Sequence, residues 1–231
     1  MTKPLKTSLA VVAVAAVAGF GLWSMTQQDT ALPLTPIAPA NAQSTSTDTA
    51  TATPAQIEIK DMTLGQEDAP VTMIEYASYT CPHCATFHDA VFKDLKKDYV
   101  DTGKVRFVYR EVYFDRYGLW AAMMARCGGD MRYFGIQDIL YSTQSEWAAS
   151  DDANIVVGNL KKIGKTAGMD DATLDACLQD GTMAQALVDH YEANMAEYDI
   201  KGTPSIVING TVHSNMTYAE LKTILGAELA K

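Results

Sequence analysis

The chain has 231 residues, of which 48% are hydrophobic, and its 28 acidic and 18 basic side chains give a formal charge of -10. That is enough apolar material to bury a full core, in one domain of ordinary size with added segments or in two small ones. The acidic balance argues against nucleic acid or an anionic membrane surface as a partner, since both reward positive charge; otherwise it reads as a solubilising surface.

Lys3 and Lys6 precede a run without charge, apolar or small throughout, from Ser8 to Met25. This is the pattern of a signal sequence or of an uncleaved membrane anchor. A buried core helix fits poorly, because the Thr-, Pro-, Ala- and Ser-rich stretch after it has no hydrophobic period up to Gln56. Ala40-Asn41-Ala42 offers a small-x-small site for cleavage before Gln43, although it lies well past the apolar run. The run itself, at about 18 residues, is just long enough to span a bilayer. Both readings stay open, and both place the folded part outside the cytoplasm. Residues 1–42 are therefore a signal peptide or anchor with linker, and 43–56 a disordered tether.

Val71-Thr-Met-Ile-Glu-Tyr-Ala77 is apolar and β-rich and predicts a strand. Tyr79 to Cys84 turns into a helix, in which Phe87, Val91, Leu95 and Tyr99 recur at helical spacing. Gly103 breaks that pattern, and Val105-Arg-Phe-Val-Tyr109 predicts a second strand. Tyr117 to Asp199 reads as about four or five helices, the last from Thr182 to Tyr198. Met123, Met124, Met131 and Met195 are expected to fill the core of those helices, or to line a peptide groove. Ser205-Ile-Val-Ile208, the turn Asn209-Gly210 and Thr211-Val-His213 predict a hairpin, and Thr217 to Ala230 a closing helix. Tyr218, Leu221, Ile224 and Leu225 would form its apolar face. The order implies a mixed sheet in an α/β domain with a helical insertion. Residues 57–116 and 200–231 would form the α/β domain, and 117–199 the insert.

The four cysteines are Cys81, Cys84, Cys127 and Cys177. The even count permits full pairing in an oxidising compartment. Cys81 and Cys84 form a Cys-x-x-Cys pair where a strand turns into a helix. At a helix N-terminus, free backbone N–H groups and the helix dipole favour an anion, so Cys81 is the candidate thiolate nucleophile. Cys84, one turn on, is placed to resolve a mixed disulfide. Pro82 has no N–H to lose at the first helical position. His83 can stabilise the thiolate, which stabilises the reduced state and makes the disulfide a stronger oxidant. The rival reading is zinc, with His88 as a third ligand, but a structural site needs a fourth and the other cysteines are remote in sequence. No metal and no cofactor is expected. His190 and His213 are expected at the surface or in packing.

Four segments carry a resemblance. Gly65-Gln-Glu-Asp-Ala-Pro70, the strand containing Glu75, and Cys81-Pro-His-Cys84 resemble the opening of the DsbA family of thiol–disulfide oxidoreductases. Gly202-Thr203-Pro204-Ser205-Ile206 resembles that family's cis-proline loop, and the similarity extends over about residues 57 to 230. The resemblance implies a thioredoxin fold with an inserted all-helical domain. It implies that the Thr203–Pro204 bond is cis, against an ordinary trans turn, and that the Thr203 backbone pairs with an extended substrate. It makes Glu75 a buried proton carrier for Cys84, with Arg106 or Arg110 as a basic partner; an edge-facing glutamate is the alternative. Cys127 and Cys177 become a structural disulfide of the insert, or else two buried thiols. The implied activity is oxidation of dithiols in unfolded exported proteins. Isomerisation or reduction on the same fold, and a zinc-binding or chaperone-like module, are the alternatives. The implied partner is a membrane protein of the DsbB kind that re-oxidises the pair. A monomer in the periplasm is expected.

Overall fold

The computed structural model describes residues 57–231. The expected signal or anchor and the tether lie outside the described residues. Five strands form one mixed sheet in the order β1-β3-β2-β4-β5. They are β1 (Met62–Leu64), β2 (Val71–Ala77), β3 (Val105–Glu111), β4 (Ser205–Ile208) and β5 (Thr211–Ser214). β2 pairs parallel with β3 on one side and antiparallel with β4 on the other. A parallel pair needs a crossover connection. Here it is a helix that alternates α1 (Pro82–Phe87) and α2 (Lys93–Leu95) with π turns at His88–Phe92 and Lys96–Val100.

Side chains alternate across the sheet, and the alternation assigns each strand residue to one of two cores. Met73, Ala77, Phe107, Tyr109, Ile206 and Ile208 face the larger core, with the active-site helix and Leu221 and Leu225 of the last helix. Ile74, Tyr76, Val108 and Val207 face a smaller core closed by Ile200, with Tyr191 and Met195 packed against it. Arg110 and Glu111 extend β3 beyond the expected end at Tyr109 because each charge has a partner on its own face: Asp61 and Glu197 for Arg110, Arg126 for Glu111.

Six helices lie between β3 and β4: α3 (Arg116–Cys127), α4 (Asp130–Ser142), α5 (Gln144–Trp147), α6 (Ala153–Thr166), α7 (Asp171–Leu178) and α8 (Gly181–Glu197). The four or five expected helices become six because the one-turn α5 is too short to show a period. Asp115, Asp152, Asp170 and Asp180 cap α3, α6, α7 and α8 through their side chains, which is why aspartates punctuate this stretch. Met123 and Met124 are buried as expected, whereas Met131 is fully exposed. Tyr133, Ile136, Gln137, Leu140 and Tyr141 set the buried face of α4, and Met131 sits two positions before it, on the opposite side. Disulfide-bonded Cys127 and Cys177 join α3 to α7, their Cα atoms 6.2 Å apart.

Asn209 and Gly210, both with positive φ (46° and 84°), make the hairpin turn between β4 and β5. The chain closes with α9 (Tyr218–Leu229), started by a capping box between Thr217 and Glu220. Among the described residues no helix is long and apolar enough to cross a membrane.

Candidate active site

The site forms where β2 ends. After Ala77 the chain turns through Ser78, Tyr79 and Thr80, and the Cys81 N–H donates to the Ser78 carbonyl at 3.1 Å. Thr80 Oγ1 donates to Asp115 Oδ2 at 2.7 Å, tying this turn to the cap of α3. Cys81 is the N-cap of α1, with extended backbone, and Pro82 follows in the first turn. The Cys81 carbonyl accepts from the N–H groups of Cys84 (3.1 Å) and Ala85 (3.2 Å), which starts the helix.

This geometry separates the two thiols. Cys81 is half-buried and Cys84 fully buried, and neither is in a disulfide. The hydrogen bond from the Cys84 thiol is the main cause that brings Cys81 down to about 5, against the opposing effect of burial. The Thr203 side chain and the backbone N–H groups of Cys84 and His83 pull the same way. Burial drives the Cys84 thiol far up, helped by its role as donor to Cys81 and by the charge of Glu75. Pro82 and His83 are exposed at the helix start.

The second strand of the site arrives from far along the chain. Tyr76 at the end of β2 registers with Ser205 at the start of β4, so the residues before Ser205 lie beside the residues after Ala77. The Thr203–Pro204 bond there is cis. Cys81 Sγ lies 3.6 Å from the Thr203 carbonyl oxygen.

Below the pair, Glu75 is 2% exposed and its Oε1 has no hydrogen-bond partner among the described residues. Burial, and next the charge of a Cys81 thiolate, push its carboxyl up to about 8. The expected basic partner is absent, a correction with a simple cause. Arg106 and Arg110 register with Thr72 and Tyr76, so they stand on the face of the sheet opposite Glu75, which registers with Tyr109. Arg110 instead binds Asp61, Glu197 and the Tyr76 hydroxyl.

The helical insert supplies residues that the sequence reading passed over. Tyr141 Oη is 2.6 Å from Tyr109 Oη and donates to the Ser78 carbonyl at 3.3 Å. Burial raises its pKa first, and the Cys84 and Glu75 charges raise it further, so a neutral phenol faces the inner side of the pair. Tyr79 Oη donates to Tyr133 Oη at 2.9 Å, and Tyr133 donates to Glu111 at 2.6 Å. Gln144 Nε2 donates to the carbonyls of Tyr79 (2.8 Å) and Cys81 (3.0 Å). Only side-chain reach across the fold links these residues to the cysteines; their spacing in sequence carries no signal.

His88, the candidate zinc ligand, is buried one turn after Cys84 with Nε2 3.0 Å from Asp138 Oδ1 and its ring stacked on Phe92. Burial lowers its pKa, against the pull of Asp138. Among the described residues no group of three or more histidine, cysteine, aspartate or glutamate side chains could hold a metal ion. His190 lies near Asp61, 3.3 Å from its Oδ1, away from the pair.

The family model described as Thioredoxin matches residues 58–227. A relative from Rickettsia bellii, named a protein-disulfide oxidoreductase, is 34% identical over 161 residues, covering 69% of this chain and 61% of its own. Disulfide bond formation protein D of Bacillus subtilis is 28% identical over 177 residues, 72% of this chain and 76% of its own. The crystal structure of Wolbachia pipientis alpha-DsbA1 superposes with a TM-score of 0.69 at 25% identity, covering 76% of this chain and 94% of that one. The chain spans less than two thirds of the length of the Rickettsia relatives it matches, 61% and 62% for those of R. bellii and R. felis. The sheet, the Cys-x-x-Cys helix and the helices between β3 and β4 are those of a thioredoxin fold with a helical insertion. The chain belongs to the DsbA-like branch of the thioredoxin family.

Proposed function

We propose that the chain is a thiol–disulfide oxidoreductase working as a dithiol oxidase on unfolded exported proteins. The observation that carries this reading is the split between the two thiols: Cys81 held near 5 at the helix N-terminus and Cys84 buried behind it. A low thiol pKa stabilises the reduced state, so the Cys81–Cys84 disulfide gives itself away readily.

The cycle balances without a cofactor. A client thiolate attacks Cys81 Sγ; the client–Cys81 bond forms as the Cys81–Cys84 bond breaks, and Cys84 leaves with the electron pair. A second client thiolate then attacks the client sulfur and expels Cys81 as a thiolate. The client loses two electrons and the pair gains them. Cys84 needs a proton on leaving, because its buried thiolate is disfavoured, and Glu75, neutral up to about 8, is the nearby acid. Pro82 and His83 tune Cys81, and the Thr203 backbone beside cis-Pro204 pairs with the extended client.

Residues 57–116 and 200–231 carry the redox centre, and the insert, 117–199, holds the turn around it through Tyr141, bonded to Ser78, and Gln144, bonded to Tyr79 and Cys81. The Cys127–Cys177 bond braces the insert. The reduced pair returns its electrons to a membrane protein of the DsbB kind, and the folded part works as a monomer in the periplasm behind its N-terminal signal or anchor.

Trapping tests the assignment of roles. Cys84→Ser should accumulate mixed disulfides with a dithiol client through Cys81, whereas Cys81→Ser should accumulate none. Equal trapping by both variants would contradict it.

A further inference from the structure

The active-site turn has a weak point in its own backbone. The Cys81–Pro82 peptide has no N–H, so it can be held only through its carbonyl. The thiolate's backbone donors are the N–H groups of His83 and Cys84, just past that peptide. A swing of the Cys81 carbonyl would carry Sγ away from both.

Gln144 meets that carbonyl from the insert. It opens α5, 63 residues from Cys81, and its Nε2 donates to both the Cys81 and the Tyr79 carbonyls, the two that flank the Thr80-Cys81 segment. α5 is itself fixed. Trp147, 2% exposed, fills the core, and its Nε1–H donates to the Leu140 carbonyl at 2.7 Å. The Gln144 backbone carbonyl accepts from Ala148 at 3.0 Å. The amide is therefore presented from a pinned helix. The bond to Tyr79 opposes a carbonyl oxygen that has no other donor among the described residues, and the bond to Cys81 adds a third donor to a carbonyl that already accepts from the Cys84 and Ala85 N–H groups.

We propose that Gln144 is a positioning residue for the redox pair: it clamps the Cys81 and Tyr79 carbonyls so that Cys81 Sγ stays over its N–H donors. The helical insert thereby helps set the oxidising strength of a cysteine pair it does not contain. This rests on the thiol-exchange reading of Cys81 and adds a determinant outside the Cys-x-x-Cys segment and the cis-proline loop.

The test is the pH titration of the Cys81 thiolate by its ultraviolet absorbance, together with the equilibrium with glutathione, in the full chain and in Gln144→Leu and Gln144→Glu. Leu removes both donors at similar volume. Glu keeps the shape and turns the donor into an acceptor, and at a partly exposed position it preserves the fold should Leu not. The Cys81 pKa should rise by about one unit in the Leu variant and more in the Glu variant, and the equilibrium should move about tenfold toward the disulfide. A folded variant with lowered stability but an unchanged thiolate pKa would overturn the proposal, leaving Gln144 a merely structural residue. Should the unsubstituted chain titrate at an ordinary thiol pKa, the exchange reading fails first, and the positioning role with it.

Discussion

Cys81 Sγ lies 3.6 Å from the carbonyl oxygen of Thr203, a residue 122 positions further along the chain. The sheet makes this meeting. Tyr76 pairs with Ser205, so the turn leaving β2 and the cis-proline turn entering β4 share one end of the sheet. A carbonyl oxygen accepts from a thiol but repels a thiolate. The low pKa of Cys81 therefore depends on its other neighbours: first the Cys84 thiol, then the Thr203 side chain and the N–H groups of Cys84 and His83.

The first consequence is a pH profile. Alkylation of Cys81 by iodoacetamide should rise through about 5, the folded pKa, and then run level to neutrality, with buried Cys84 inert throughout. The sign for stability follows from a pKa depressed below the ordinary thiol value. The thiolate's contribution to the reduced protein is full above that ordinary value and is lost as pH falls through about 5. The stability gap between reduced and oxidised protein should shrink accordingly in denaturant titrations run from above the ordinary thiol value of 9.0 to below about 5.

Glu75 should destabilise the fold at neutral pH. Its carboxyl is raised from 4.5 to about 8, so the unfolded chain ionises first and gains from it. The penalty is absent below 4.5, grows up to about 8 and is constant above. Glu75→Gln should therefore stabilise the protein by about 3 kcal/mol at neutral pH and by almost nothing in acid, measured by urea unfolding. The same variant should slow exchange, because Cys84 loses its proton source.

The Cys127–Cys177 bond joins residues separated by 50 positions. Closing a loop of that length restricts the unfolded chain by about 4 kcal/mol on the chain-entropy account. The double variant Cys127→Ala/Cys177→Ala should lose stability of that order in denaturant while retaining the Cys81–Cys84 exchange.

Arg126 and Glu111 form a buried ion pair at 2.6 Å, with side-chain exposures of 10% and 2%, and Glu111 also accepts from Tyr133. Removing one partner leaves a charge without compensation. Arg126→Met should cost about 3 to 5 kcal/mol by thermal or chemical unfolding, and Arg126→Met/Glu111→Gln distinctly less.

The strand–turn–helix around Cys81, the hairpin turn at Asn209-Gly210 and the alternation in β2 are local patterns, and each is legible from a few neighbouring residues. β1 is three residues long, too short for any period to stand out. The partner of Glu75 failed for a different reason. Arg110 is near it in space, but strand register decides which face a side chain takes, and register is a property of two segments together. Gln144 and Tyr141 reach the cysteines only because the insert folds back over the turn, and nothing in their own surroundings in sequence marks them. Met131 has the residue type of a core methionine and the helical phase of a surface one.

The most direct measurement is the equilibrium reduction potential of the Cys81–Cys84 pair in a glutathione buffer. A value toward about -120 mV is expected, as for a pair whose reduced form is stabilised by a low-pKa thiolate. A value near about -270 mV would contradict the oxidase reading and reverse the direction of electron flow assigned here.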